Sequence, residues 1–152
     1  MINILFICHG NICRSPMAEF VMKKLVREAG LQDRVEIESA ATSREEIGND
    51  IHPGTKRQLK KEGVPFTHRA ARQLTAAEYT IYDYLIVMDH NNLRNLRRII
   101  GEDTENRVSL LLSYRGENSD IADPWYSGDF ESTYRDVLRG CKALLREIQN
   151  RL

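Results

Sequence analysis

The chain has 152 residues, enough for one domain with a real hydrophobic core. Its 22 basic and 22 acidic residues cancel to a formal net charge of zero, which argues against nucleic acid, a partner that asks for a basic face. No apolar run is long enough to span a membrane, no signal-peptide pattern opens the chain, and the odd number of cysteines suits reduced thiols better than a disulfide framework, so a cytoplasmic protein is expected.

The segment Ile2 to Ile7 is nearly all apolar and rich in branched side chains, the pattern of a strand buried on both faces of a parallel sheet. Cys8-His9-Gly10-Asn11-Ile12-Cys13-Arg14-Ser15-Pro16 follows, and then a run of helix formers in which Phe20 and Lys24, like Val21 and Leu25, stand four apart. The spacing predicts a helix from about Ser15 to Ala29, with Ser15 as N-cap, Pro16 as the first helical residue and Gly30 as the stop. Cys8 to Ser15 is then a strand-to-helix loop, and the carboxyl end of a strand is where open parallel sheets bind ligands. The helix start aims free N–H groups and the positive end of its dipole into the loop. Gly10 and Asn11 tolerate the left-handed backbone that turns successive N–H groups inward as an anion nest. Arg14 adds a planar fork suited to two phosphate oxygens. Such positive surroundings favour the thiolate of a cysteine. A Cys8 thiolate beneath a bound phosphate is placed for in-line attack on phosphorus, so the residue types point to phosphoryl transfer to sulfur.

Further along, Val35 to Ser39 alternates apolar and charged residues and reads as an edge strand. Ala40 to Ile51 is a polar loop at the same end of the sheet as Cys8. Pro53 and Gly63 bracket a helix over Gly54 to Glu62, whose Lys56, Arg57, Lys60 and Lys61 read as a solvated face. Thr75 to Glu78 is a capping box for a short helix. Tyr84 to Met88 is a central strand, and Asp89 after it reads as the N-cap of a helix running toward Ile100 and Gly101. Val108 to Leu112 is the fourth strand. The last helix covers about Glu131 to Asn150, with Cys141 in its apolar stripe as inert core. Strands alternating with helices imply an α/β fold, a parallel sheet with right-handed crossovers and helices on both faces.

Between the fourth strand and the last helix lies Asp120-Ile121-Ala122-Asp123-Pro124-Trp125-Tyr126. Asp-Pro alone is a common turn. Yet phosphoryl transfer from an aryl ester needs an acid near the Cys8 loop, because expelling a bare phenolate is costly. This segment follows a strand and should open on the same face, which makes Asp123 a candidate acid, with Asp120 and Asp129 as alternatives. Trp125 and Tyr126 would wall a cleft for a flat phosphoaryl group.

The run Cys8-x-Gly10-Asn11-Ile12-Cys13-Arg14-Ser15-Pro16 resembles the signature loop of the low-molecular-weight protein tyrosine phosphatases almost residue for residue. Ser39-Ala40-Ala41-Thr42, Met88-Asp89-x-x-Asn92-Leu93 and Asp123-Pro124-Trp125 are similar to further stretches of that family. The resemblance implies a single phosphatase domain over residues 1–152, with a four-stranded parallel sheet in the order 2-1-3-4 between helical layers. It implies Cys8 as nucleophile, Arg14 as phosphate clamp and Asp123 as general acid and base. His9, Gly10, Ile12 and Cys13 complete the phosphate-binding loop, and Asn11 and Ser15 hold the loop and the thiolate. It implies no metal or organic cofactor, a phosphotyrosine protein as partner, and a monomer or weak dimer. It also implies that Cys8 and Cys13 form a protective disulfide, provided the loop brings their Cα atoms within about 7 Å. Tyr126 matches tyrosines that are modified in some relatives.

Two departures stand out. Relatives carry a large aromatic residue in the wall where this chain has Ser43-Arg44-Glu45, and a His-x-Ala-Arg-Gln-like run whose His supports the loop Asn. Here either His68 or Arg69 fills that slot. Four rivals remain. Arsenate reductases of this fold need further cysteines, and none lies between Cys13 and Cys141. Protein-arginine phosphatases carry Thr where this chain has Ile12. A zinc-binding module could draw on Cys8, His9 and Cys13 but lacks an evident fourth ligand; a non-catalytic phosphate-binding module would not need a nucleophile, clamp and acid together.

Overall fold

Four parallel strands lie side by side in the order β2-β1-β3-β4 in a computed structural model that describes residues 1–152. They are β1 (Ile2–Cys8), β2 (Val35–Ala41), β3 (Tyr84–Val87) and β4 (Val108–Leu110). The helices are α1 (Arg14–Glu28), α2 (Pro53–Lys61), α3 (His90–Ile100), α4 (Pro124–Ser127) and α5 (Phe130–Arg151), with 3-10 turns at Ala76–Thr80 and Leu111–Arg115. The parallel sheet is the one the alternation of strands and helices predicts, and its order 2-1-3-4 is the one the family resemblance implies.

Strand β1 is central, with Cys8 opposite Ala41 of β2 and Ile7 opposite Val87 of β3. Successive side chains of a strand point to opposite faces. Ile4 and Phe6 therefore join Met17, Met22, Leu59, Val137 and Leu144 beneath α1, α2 and α5. Leu5 and Ile7 join Leu74, Tyr79, Leu85 and Leu96 beneath α3 and the first 3-10 turn. Both faces of the sheet are thus covered, which explains the apolar run of β1 from Ile4 to Cys8 and makes the architecture three layers, α/β/α. Strand β2 is at the edge and alternates buried with exposed residues until Ser39.

Several boundaries differ from the sequence reading. The N-cap of α1 is Cys13, so Arg14 opens the helix and Pro16 is its third residue. Ser15 is not the cap, because its hydroxyl is engaged by Cys8 and Asn11. Pro16 is tolerated there because first-turn N–H groups have no intrahelical acceptor. Strand β4 stops at Leu110 rather than Leu112, as Leu111 turns into a 3-10 segment and packs on α5 at Gly140. Any Cβ at residue 140 would lie 2.5 Å from the Leu111 Cγ, so only glycine admits this packing. The Asp123 stretch contains one helical turn, α4, capped by Asp123 itself. Cys141 is fully buried in the larger core, as its stripe suggested. No helix is long and apolar enough to cross a membrane.

Candidate active site

Cys8 is the last residue of β1, and the chain then curls through residues 9–13 into α1. The curl depends on Asn11, which has φ of 60° and is fully buried. Asparagine is one of the few residues that enter this region readily, and here its side chain is bonded on every side. Its amide nitrogen donates to Ser15 Oγ at 2.8 Å and to Ser39 Oγ at 2.9 Å, and its Oδ1 accepts from the Arg72 N–H at 3.2 Å. Its carbonyl accepts from the Arg69 guanidinium.

These bonds fix where the protons point. Ser39 donates to Glu19 Oε1 at 2.5 Å, so its oxygen is free to accept from Asn11. Ser15 accepts from Asn11, so its own hydrogen is left for Cys8 Sγ, 3.1 Å away. That contact holds the sulfur at the end of β1 against the start of α1. Glu19, itself buried, is held by Lys23 at 2.6 Å.

Arg14 opens α1 and is 2% exposed. Its Nη1 donates to Asp89 Oδ2 at 2.6 Å and to the Ile121 carbonyl at 2.8 Å, and its Nη2 reaches Asp123 Oδ2 at 3.4 Å. Burial works against the charged guanidinium, but the negative charges of Cys8, Asp89 and Asp123 outweigh it and push its pKa up. Asp123 caps α4, its Oδ1 accepting from the Trp125 N–H at 3.0 Å. The loop that carries it is pinned by Ile121 N–H to the Met88 carbonyl at 2.9 Å and by Thr133 Oγ1 to the Ala122 carbonyl at 2.9 Å.

One cleft gathers Cys8, Arg14 and Asp123 together with His9, Gly10, Ile12 and Cys13; Trp125, Tyr126, Glu45 and Glu46 form its walls. Asn11 and Ser15 lie behind it, with no exposure. The wall that the sequence left open is therefore acidic. His9 turns its ring to Glu45 at 2.9 Å and so faces the wall, leaving only its backbone to the loop. Cys13 is buried at the loop's end. Burial first, then the charges of Cys8 and Asp123, push its thiol up to about 12.

Arg69, not His68, supports Asn11. His68 is largely exposed and pairs with Asp50 at 3.0 Å. Asp89 is the N-cap of α3, as expected, but it is also a partner of Arg14, which the sequence reading did not foresee. Glu19, Ser39 and Arg72 also went unassigned. A single acid between Ala18 and Phe20 on the buried side of α1 was the available signal for Glu19; Arg72 acts through its backbone N–H and gave none. Asp120 pairs with His90 at 2.6 Å and Asp129 caps α5, so neither belongs to the cleft.

Residues 3–152 match the family model described as low molecular weight phosphotyrosine protein phosphatase. The chain belongs to that family. It is 38% identical over 151 residues to the low molecular weight protein-tyrosine-phosphatase YfkJ of Bacillus subtilis, covering 98% of this chain and 97% of that one. It is 39% identical over 150 residues to the human low molecular weight phosphotyrosine protein phosphatase, covering 95% and 94%. The crystal structure of YfkJ superposes with a TM-score of 0.94 over 99% of this chain and 96% of that one, at 39% identity. A Drosophila arginine phosphatase of the same fold superposes with a TM-score of 0.85 at 31% identity, over 95% and 96% of the two chains. In this chain the cleft joins Cys8 and Arg14 of one loop to Asp123, more than a hundred residues further along.

Proposed function

We propose that this chain hydrolyses phosphotyrosine in proteins through a phosphocysteine formed at Cys8. The observation that carries this reading is the meeting of three groups in one cleft: the Cys8 sulfur, the Arg14 fork and the Asp123 carboxyl 3.4 Å from that fork. In the first step Cys8 Sγ forms a bond to phosphorus as the bond to the tyrosyl oxygen breaks, and Asp123 gives that oxygen a proton. In the second, the Asp123 carboxylate takes a proton from water. The water oxygen bonds to phosphorus, the phosphorus–sulfur bond breaks, and inorganic phosphate leaves with the thiolate regenerated. Arg14 and the loop N–H groups hold the equatorial oxygens in both transition states. Ser15 steadies the sulfur as an anion each time it is released. Every proton is accounted for by these side chains and water, so the steps call for no metal or organic cofactor.

Ile12 and Trp125 suit a flat aryl ester, and a phosphoserine is too short to bring its phosphate down to Arg14. Ile12 crowds a guanidinium and its hydrating water, which sets phosphoarginine below phosphotyrosine. The protein works as one domain over residues 1–152, cytoplasmic, as a monomer or weak dimer, on phosphotyrosine proteins. The test is turnover of matched phosphotyrosine, phosphoserine and phosphoarginine peptides by the parent and by Cys8→Ser. The expected result is hydrolysis of the first alone, lost in the variant while inorganic phosphate still binds. Equal turnover of phosphoserine, or faster turnover of phosphoarginine, overturns the substrate assignment.

A further inference from the structure

His52 lies outside the cleft, and the two reaction steps leave it without a role. Its surroundings are nonetheless specific. Its backbone N–H donates to the Ile12 carbonyl at 2.9 Å, which ties it to the phosphate loop. Its Nδ1 accepts from the Gly54 N–H at 2.9 Å, which caps α2 and fixes the ring's orientation. One side of the ring stacks on Phe130, with centroids 5.3 Å apart and planes at 23°. Phe130 is itself seated on Gly54, where any Cβ would lie 2.4 Å from its Cζ. The His52 ring is thus held by a hydrogen bond and a stack whose own seat is close-packed.

Trp125 needs such a support. It is 55% exposed, in a four-residue helix between two loops, and it meets His52 edge-on with centroids 5.6 Å apart at 80°. Its backbone N–H donates to Asp123 Oδ1, which leaves Oδ2 facing Arg14. The Trp125 backbone and the Asp123 carboxyl are thereby joined in one short turn, so a ring held against His52 restrains the turn that carries both. An aromatic contact of this kind biases a conformational equilibrium by up to roughly tenfold.

We infer that His52 is a positioning residue for Asp123: its ring is the shelf that holds Trp125, and through it the proton donor, in register with the phosphate loop. The inference rests on the reading of Asp123 as the acid. A bare N-capping role for His52 is the alternative, and two substitutions separate them. His52→Asn keeps a capping acceptor and removes the ring, while His52→Phe keeps a ring and removes the acceptor.

The experiment measures kcat/KM for phenyl phosphate and p-nitrophenyl phosphate in the parent, both His52 variants and Asp123→Asn. Inhibition by inorganic phosphate and thermal melting are followed alongside. A poor leaving group needs the proton more, so loss of a well-placed acid lowers phenyl phosphate turnover further. For His52→Asn the expected result is a loss of up to roughly tenfold with phenyl phosphate, a smaller loss with p-nitrophenyl phosphate, and phosphate inhibition as in the parent. His52→Phe is expected to melt lower yet keep the parent's ratio between the substrates. A parent-like ratio in His52→Asn, the same altered ratio in both variants, or weakened phosphate inhibition in His52→Asn each overturns the shelf. Asp123→Asn must shift the ratio on its own. If it does not, the acid assignment fails and the inference goes with it; if it does while His52→Asn does not, only the inference fails.

Discussion

Arg14 and Asp89 meet at 2.6 Å, joining the start of α1 to the turn after β3 across 75 residues of sequence. The carboxylate divides its oxygens between two tasks. Oδ1 accepts from the Asn92 N–H at 2.7 Å and caps α3, while Oδ2 holds Arg14. The cap explains the residue from sequence alone, and the second oxygen is visible only in the fold.

Substitution can separate the two tasks. Asparagine caps a helix about as well as aspartate but carries no charge. Asp89→Ala is expected to lose about 1 kcal/mol of capping and to melt about 2–4 °C lower. Asp89→Asn is expected to melt close to the parent. Both are expected to lower kcat/KM roughly tenfold, the scale of one hydrogen bond to a charged group. Full activity in Asp89→Asn would show that Arg14 needs no help from Asp89.

Arg14 itself is expected to resist conservative replacement. Its fork already spans Asp89, the Ile121 carbonyl and Asp123, an arrangement that one ammonium cannot reproduce. Arg14→Lys should therefore lose nearly as much kcat/KM as Arg14→Ala, on the order of a hundredfold or more. A lysine variant within a factor of about ten of the parent would mean that point charge, not geometry, is what the site requires.

The chemistry was legible where it is local. Strand, loop and helix around Cys8 are contiguous, so periodicity and loop composition place nucleophile and clamp together. The parallel α/β class was legible because buried strands such as β3 read as short apolar runs alternating with helical segments, while the strand order came from the family resemblance. What escaped was set by contacts distant in sequence. The Leu111–Leu112 pair looks the same in a strand as in the 3-10 turn it forms, and only its packing on Gly140 decides between them. Ser15 is a residue type common at N-caps, but a bond from Asn11 and one to Cys8 claim its hydroxyl. His68 and Arg69 are neighbours, and the path of the chain past Asp50 decides which one turns inward.

Asp50 is the anchor of that path. It accepts from Lys56 at 2.6 Å, from His68 at 3.0 Å and from the Arg69 N–H at 3.2 Å. Partial burial would raise its pKa, but these donors, Lys56 foremost, hold the carboxyl well below the usual range. A depressed folded pKa contributes stability above the unfolded value, near 3.9, and that stability is lost as pH falls through the window beneath it. Asp50→Asn removes the group from this balance. The difference in melting temperature between parent and variant is expected to be largest near neutral pH and to shrink below about pH 4. A difference that stays constant down to acid unfolding would rule out the depressed carboxyl as its source.

The last prediction concerns the two thiols of the loop. Cys13 is buried, and burial together with the charges of Cys8 and Asp123 pushes it up to about 12, so at neutral pH it is a thiol. Cys8, which receives the Ser15 hydrogen and lines the cleft, is then the first target of peroxide. Peroxide oxidises the Cys8 thiolate to a sulfenic acid and leaves as hydroxide. That step also removes the charge on Cys8, one of the causes that hold the Cys13 proton. Cys13 can then attack the sulfenic sulfur, forming the disulfide and releasing water. The expected outcome is inactivation by peroxide, recovery with a dithiol, and a peptide linking Cys8 to Cys13 in the mass spectrum of the oxidised protein. Cys13→Ser is expected to inactivate at the parent's rate but to recover little of its own starting activity. Because Cys13 attacks as the thiolate, the recoverable fraction in the parent should rise between about pH 7 and pH 9. A Cys13→Ser protein that recovers as fully as the parent would remove the protective role and leave Cys13 as a residue that fills space behind the phosphate loop.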